Sequence, residues 1–418
     1  MIDVAIVGSG IAGLGAAYTL RGKCKLTVYE KNDYAGGHSN TALVQEAGTF
    51  IPIDTGFMVF NKVTYPKLTN LFEELNVPVQ PSDMSFSVQY MEDRLEYAGA
   101  SFGRLFGQRK NLLSPRFWRM LTQLDRFNKE AIAALDDRQY DHLTVEQFVS
   151  LRGYGSDFLE LYLLPMSSAV WSAPPGAMRG FPAKTLMRFF HNHGFLGMDT
   201  QHQWWTVKGG SRAYVDKLLQ AAEIKVKLTN PVKAIVCRSH GADVITDDGA
   251  RRHDKVIIAA HADEALQLLQ PADPLVRSLL SPFKYQPNSA TLHTDSSIMP
   301  HTRRCWSAWN YRIDKKSAST HYWMNSLQKV SQNQDYFVSI NAEHLLDQTK
   351  ILKRFHYHHP LFSQEAVKAQ SDLPMLNARS PSQSLYFCGS YFRYGFHEDA
   401  LMSGILAAEQ VSASGVPV

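Results

Sequence analysis

Asp3-Val4-Ala5-Ile6-Val7-Gly8-Ser9-Gly10-Ile11-Ala12-Gly13-Leu14, answered by Leu26-Thr27-Val28-Tyr29-Glu30, is the stretch whose reading decides the fold. Val4 to Val7 is the short apolar run of a buried parallel strand. The run breaks at Gly8, and Gly8-x-Gly10-x-x-Gly13 opens a helical segment to about Leu20. The first glycine permits a tight turn, the second lets the backbone approach a pyrophosphate, and the third lets helix and strand pack closely. The helix N-terminus presents free N–H groups and a positive dipole end to phosphate. Glu30 closes the second strand twenty positions after Gly10, where a carboxylate accepts the hydroxyls of an adenosine ribose. Glycines at this spacing alone are a weak signal; strand, turn, helix, strand and acid in this order imply a bound dinucleotide.

A chain of 418 residues exceeds one hydrophobic core, so two domains are expected. With 44% apolar and 20% charged residues it has the composition of a globular protein. A net charge of +4 is far from the footprint of a nucleic-acid binder, and no nucleic-acid partner is expected. The four cysteines (Cys24, Cys237, Cys305, Cys388) show no C-x-x-C spacing, which suggests a reduced compartment and no zinc ribbon. Without a basic leader or a run of about 20 apolar residues, a soluble cytoplasmic protein is expected.

The fold expected is α/β: a discontinuous Rossmann-like domain with an inserted α+β substrate domain, a mixed sheet backed by helices. The nucleotide domain takes residues 1–80, 205–275 and 375–418, and the substrate domain takes 81–204 and 276–374. Strands are expected at 224–228, 254–260, 289–293, 306–311, 322–325 and 384–390. Trp171 to Gly176 reads as a loop, Phe181 to His191 as a helix, and Glu398 to Gln410 as the last helix. Phe102, Leu105, Phe106, Leu112, Leu113, Phe117, Trp118 and Leu121 are interleaved with Arg104, Arg109, Lys110, Arg116 and Arg119. This stretch reads either as a helical lobe with a solvated basic face or as a patch that docks on anionic lipid.

Taken together, the glycine loop, Gly36-Gly37, the turn at Gly209-Gly210, Val232 and the segment from Gly389 to Ala400 resemble the flavin-containing amine oxidase and phytoene desaturase superfamily. Three further stretches look like a narrower group within it: Val59-Phe60-Asn61-Lys62-Val63-Thr64-Tyr65-Pro66, Trp306-Ser307-Ala308-Trp309-Asn310 and Gly395-Phe396-His397-Glu398-Asp399-Ala400-Leu401. That group is the flavoprotein half of plant cyclopropane fatty acid synthases and its free-standing bacterial relatives. The resemblance implies FAD, hydride removal from a C–H bond, and a lipid substrate, with desaturation of a methylated or cyclopropane-type acyl chain of phospholipid as the leading reading. Amine oxidation and carotenoid-type desaturation or isomerisation stand as alternatives. It also implies a lipid methyltransferase or cyclopropane synthase as partner; the second reading of the stretch from Phe102 to Arg119 adds peripheral contact with an anionic membrane at its inner face.

For FAD the candidate contacts are Gly8, Ser9, Gly10, Ile11, Ala12, Gly13, Glu30, Lys31, Gly36, Gly37, His38, Thr55, Gly56, Phe57, Met58, Val232, Gly389, Ser390, Asp399 and Ala400. By resemblance the Ala400 amide lies at the flavin, under a helix N-terminus that stabilises negative charge there. Ser390 stands where the superfamily usually has an acid, and His38 where many members have arginine. His38 reads as a cofactor contact or a proton handler. His397 reads as an acid/base group or as cofactor packing, and Tyr394 and Glu398 share its loop. Trp309, Asn310 and Tyr322 are candidates to face the flavin across the substrate, or to be sheet core. No lysine equivalent to the one the superfamily's oxidases place near the flavin is evident, which argues against rapid reaction with oxygen. No metal is expected: His356 and His358 alternate on a strand with no carboxylate or thiol at ligand spacing, and His191-Asn192-His193 reads likewise. Cys388 reads as a packing residue.

Overall fold

The computed structural model describes residues 1–197, 200–269, 271–314, 317–378 and 384–414. Its organising layer is a five-stranded, all-parallel sheet in the order Val226–Lys227, Lys25–Tyr29 (β2), Asp3–Val7 (β1), Lys255–Ile258 and Leu385–Phe387. Val4, Ala5, Ile6, Val28, Val256, Ile257 and Ile258 are wholly buried, as a parallel sheet covered on both faces requires. Strand order reverses between β1 and Lys255–Ile258, the switch point where ligands of open α/β sheets bind. The turns leaving these two strands meet there: a Cβ on Gly8 would lie 2.6 Å from the Ala259 carbonyl oxygen.

The helix Ile11–Leu20 (α1) packs on one face of the sheet against the C-terminal helix His397–Ser414. Glycines make this contact close. A Cβ on Gly15 would lie 2.5 Å from Leu401, and one on Gly404 would lie 2.1 Å from the Ala12 carbonyl oxygen. Two helix N-termini are thereby brought to the same crevice.

A second, seven-stranded mixed sheet runs in the order Ile351–Leu361, Lys284–His293, Phe337–Ile340, Ser317–Trp323, Trp309–Asp314, Phe86–Tyr90, Leu95–Ala98. Only the Trp309–Asp314 and Phe86–Tyr90 pair is parallel, joining strands from distant parts of the chain. Helices between residues 102 and 192 cover it, among them Phe102–Leu105 and Pro115–Ala134. Where Trp171 to Gly176 was expected to be a loop, a helix runs to Trp171 and Ser172 ends it at φ 49°. Pro175 then starts a new helix, Pro175–Arg179, because proline fits a helix's first turn. The strand expected over 224–228 shortens to Val226–Lys227, and the one over 322–325 ends at Trp323, where the helix Met324–Leu327 begins. Part of the expected segment 375–418 lies outside the described residues.

Asp54, at the end of the strand Thr49–Asp54, ties three distant segments together. Its buried carboxylate accepts from Ser211 N and Oγ, Thr41 Oγ1 and Gln328 Nε2, at 2.6 to 2.9 Å. Burial pushes it up to about 6 despite these donors. The Gly209-Gly210 turn serves this clamp, since a Cβ on Gly210 would strike Thr41. Among the described residues no helix is long and apolar enough to cross a membrane.

Candidate active site and its dinucleotide cleft

A continuous cavity of about 1300 Å³ runs from the carboxyl ends of the parallel strands to the face of the mixed sheet. At its first end, Gly8, Gly10, Ile11, Ala12, Gly36 and Gly37 form one floor. Gly10 pairs with Gly36 as an isolated parallel bridge, and Gly36 N donates to the Ser9 carbonyl at 3.0 Å. Gly37 adopts φ 59°, and a Cβ there would lie 3.1 Å from Gly10 Cα. Above Gly10, by contrast, a Cβ would meet nothing within 4 Å. The α1 N-terminus has no side-chain cap, so its first N–H groups open into this free space. The cradle and its donors fit a dinucleotide pyrophosphate.

Glu30, Lys31, Val232 and Glu264 line the same end. Glu30 accepts from Ser9 N (3.0 Å), Ser9 Oγ (2.6 Å) and Asn32 N (2.9 Å), so it fixes the glycine loop while facing the cavity. Lys31 Nζ donates to Glu264 Oε1 at 2.5 Å. Ser9 and Gly13, both candidate contacts, do not line the cavity. Ser9 is fully buried under Glu30, and a Cβ on Gly13 would lie 2.0 Å from the Gly8 carbonyl oxygen. Thr55 is likewise taken out of the lining, bonded to the Asn40 carbonyl and to Tyr357 Oη.

His38 lies midway along the cavity, stacked on Tyr357 with centroids 5.1 Å apart. His359 stands 5.4 Å and His261 6.3 Å from it. Burial first, then its histidine neighbours, hold His38 well below the usual histidine range, so the ring is neutral. Burial also pushes His359 down to about 4. His261 and His359 were missed in the sequence. His261 follows a strand that stops at two alanines on the sheet's carboxyl edge, a position with a readable signal. His359 is placed only by pairing of its strand with Lys284–His293, where Asn288 Nδ2 meets its Nδ1 at 2.8 Å. Among the described residues no cluster of histidine, cysteine or acid able to hold a metal is found.

The C-terminal helix brings His397 and Ala400 to the cavity, beside Gly56, Phe57, Met58, Gly389 and Ser390. The His397 ring stacks on Phe57 at 3.8 Å and 9°, and its Nε2 lies 2.6 Å from Tyr214 Oη and 3.3 Å from Ser39 Oγ. Tyr214 and Ser39 are hydrogen-bonded in turn. Burial pushes His397 down to about 3. It is therefore an uncharged hydrogen-bonding wall at neutral pH, too weakly basic for the acid/base role considered for it.

Three neighbours of His397 are corrected. Glu398 faces away from the cavity: its carboxylate accepts from Lys67 N (2.8 Å) and Leu68 N (2.9 Å), capping the helix Pro66–Glu74 (α2). Tyr394 does not line the cavity either, and its carbonyl accepts from Trp171 Nε1 at 3.2 Å. Asp399 accepts from Phe396 N at 3.0 Å, bracing the turn into the C-terminal helix, with burial pushing it up to about 6.

At the far end Trp309 and Tyr322 line the cavity as a cross-strand pair, edge to face at 4.8 Å. Asn310 is corrected. Strand alternation turns it to the opposite face, where it bonds Ser307 N and O, Ser87 Oγ and the His321 carbonyl. Cys388 is buried and does not line the cavity. Beyond Trp309 the helical lobe closes the space with Leu105, Leu121, Leu124, Met166 and Val170, which sequence reasoning did not place in the site. Lys31 and Lys233 are the lysines of the described lining, both near the Glu30 end with Val232 and Glu264, and Asp83 is committed to Ser85 and Ser326.

No curated protein matches the chain. Solved structures match along its whole length. Wild-type putrescine oxidase bound to putrescine does so at 16% identity and TM-score 0.70, with 99% of each chain covered. Cyclohexylamine oxidase from Brevibacterium oxydans IH-35A does so at 16% and 0.68, again with 99% of each chain. A CLA-producing fatty acid isomerase from P. acnes follows at 15% and 0.68, with 99% of each chain. At these identities the likeness is one of fold. The family model for flavin containing amine oxidoreductases matches residues 11–297, more than half of the chain, and the chain therefore belongs to that family as an FAD-dependent oxidoreductase.

Proposed function

We propose that the chain oxidises a C–H bond of an apolar lipid, with desaturation of a methylated or cyclopropane-type fatty acyl chain as the reaction. The observation that carries this reading is the lobe beyond Trp309, walled by Leu105, Leu121, Leu124, Met166 and Val170. Such a wall gains from burying methylenes, at about 0.8 kcal/mol each. A protonated amine would lose its hydration there, since none of these five wall residues carries a charge or polar group to compensate it. A fatty acid isomerase shares the fold, which supports room for an acyl chain in this architecture.

Bound FAD supplies a two-electron acceptor for the substrate C–H bond. Around it the chain's own residues hold and exclude. Gly8, Gly10, Gly36 and Gly37 would take the pyrophosphate and Glu30 the ribose. The N-terminus of the C-terminal helix, which reaches the cavity at His397 and Ala400, would offer N–H groups to negative charge on the ring. His397, stacked on Phe57 and tied to Tyr214, stays uncharged and keeps water from the space beside it. Trp309 and Tyr322 fix the width of the passage through which a chain would thread.

The test is an anaerobic visible spectrum of the yellow protein mixed with detergent-dispersed lipids carrying methylated, cyclopropane or plain monounsaturated chains. Bleaching by a methylated or cyclopropane chain is the expected outcome. Bleaching by amines or polyenes, with none by the lipids, would replace this reading with amine oxidation or carotenoid-type desaturation.

A further inference from the structure

Next to the wall of the apolar lobe, on the outer surface, lies a second crevice of about 440 Å³ lined by Ser101, Gly103, Arg104, Arg109, Arg303 and Arg304. The four arginines come from two segments two hundred residues apart, and the fold holds those segments together. The Glu96 carboxylate accepts from His301 N (2.8 Å) and Thr302 N (2.9 Å). At the Gly107 turn a Cβ would meet Cys305 Sγ at 2.8 Å and Arg304 Cβ at 3.4 Å, so only glycine allows this approach. Arg303 is fixed by stacking on Trp306 at 3.5 Å and by Asp335 at 3.6 Å. Among the described residues Arg104, Arg109 and Arg304 have no ion pair, and the crevice contains no acid. Like charges gathered without a counter-charge are unfavourable unless an anion completes them.

Apolar side chains rim the same face. Phe102 is 67% exposed, Leu113 88% and Trp118 42%, and the exposed Lys110 and Arg119 neighbour them in the same stretch. These are not frayed ends. Trp118 packs on the buried Phe106 at 5.1 Å and donates through Nε1 to the Leu112 carbonyl at 2.9 Å. An aromatic and leucine rim interleaved with cations is the chemistry of a membrane interface, where rings enter the acyl boundary and arginines meet phosphate. A nucleic-acid strand would use the cations but leave Leu113 and Phe102 unburied. The position also matters. The short helix Phe102–Leu105 puts Arg104 in the crevice and Leu105 in the apolar lobe, and Pro115–Ala134 puts Trp118 outside and Leu121 and Leu124 inside.

We propose that this face docks on an anionic phospholipid bilayer, the arginine crevice taking a lipid phosphate beside the wall of the lobe that receives the acyl chain. The reason for a membrane here rests on the acyl reading above, but the docking is measured without turnover, so either can fail alone. The intact flavoprotein is sedimented with phosphatidylglycerol vesicles and with phosphatidylcholine vesicles, over a range of salt. Binding to the first, weakened by salt, with little to the second, is expected. Arg109→Ala with Arg304→Ala should weaken it about 25-fold, at about fivefold per arginine. Leu113→Ser, at a site too exposed to affect folding, should remove the salt-resistant part. Equal sedimentation of wild type and the arginine variant at unchanged flavin content would overturn the proposal. So would equal binding to both vesicle types, or binding of inorganic phosphate or single-stranded DNA without vesicles.

Discussion

The two ends of the cavity are built from different materials. At the dinucleotide end the walls are main chain: two glycine turns bridged to each other and an uncapped helix N-terminus. At the apolar end they are side chains delivered by three helices and two strands of unrelated sequence position, from Leu105 to Tyr322. A backbone wall constrains residue type tightly, because few residues but glycine permit it. A side-chain wall can be rebuilt by any residue of suitable size. The first end therefore fixes the cofactor, and the second is where one family can change its substrate.

Three experiments would break or sharpen that contrast. The largest effect is expected from Gly10→Val. Nothing lies within 4 Å of the added Cβ, so the apoprotein should fold and melt normally. The pyrophosphate, however, would lose at least two charge-assisted hydrogen bonds, about 1.5 kcal/mol or more each, for at least about 100-fold weaker FAD binding. Isothermal titration of FAD into the apoprotein measures it; wild-type affinity would show that backbone donors are not what holds the cofactor.

Acid sensitivity comes next. Burial depresses His193, His293 and His359 to about 4 and His397 to about 3, so below pH 6.5 the unfolded chain binds more protons than the folded one. Their contribution is intact above pH 6.5 and is lost as pH falls toward 4. Asp54 and Asp399, raised to about 6, act oppositely between pH 3.8 and 6. Four histidines outweigh two carboxylates, so apoprotein stability should fall on acidification, each proton contributing about 1.4 kcal/mol per pH unit at most. Urea melts at pH 7 and pH 5 test this, and His397→Gln should make the dependence shallower. A stability that rises on acidification would refute the neutral histidine wall.

The smallest effect belongs to Glu398→Gln. As a cap for α2 it should cost about 1 kcal/mol of stability and leave turnover per bound flavin unchanged. A large loss of turnover with unchanged melting would return Glu398 to the active site.

Legibility in the sequence followed the same division. The Gly8 to Gly13 turn and Glu30 could be read because local geometry dictates residue type. Glu398 was misread because an acid beside a glycine-rich loop looks catalytic, whereas the N–H groups it caps belong to Lys67 and Leu68, more than three hundred positions away. Asn310 was misread because strand alternation gives two faces without saying which one meets the cavity. Trp309 opposite Tyr322 decides that, and only the folded sheet supplies the pairing. The lining from Leu105, Leu124 and Met166 had no local signature at all, since an apolar helical face looks the same whether it meets a core or a ligand.

The glycine-to-backbone contact between α1 and the C-terminal helix bears on when the cofactor can be held during synthesis. Gly8 and Gly10 are made about 390 residues before Ala400, yet all face one cavity. The edge strand Leu385–Phe387 and the helix after it must dock before the second N-terminus is in place. FAD therefore meets its full set of donors only after translation has passed residue 400, closing a contact between distant segments.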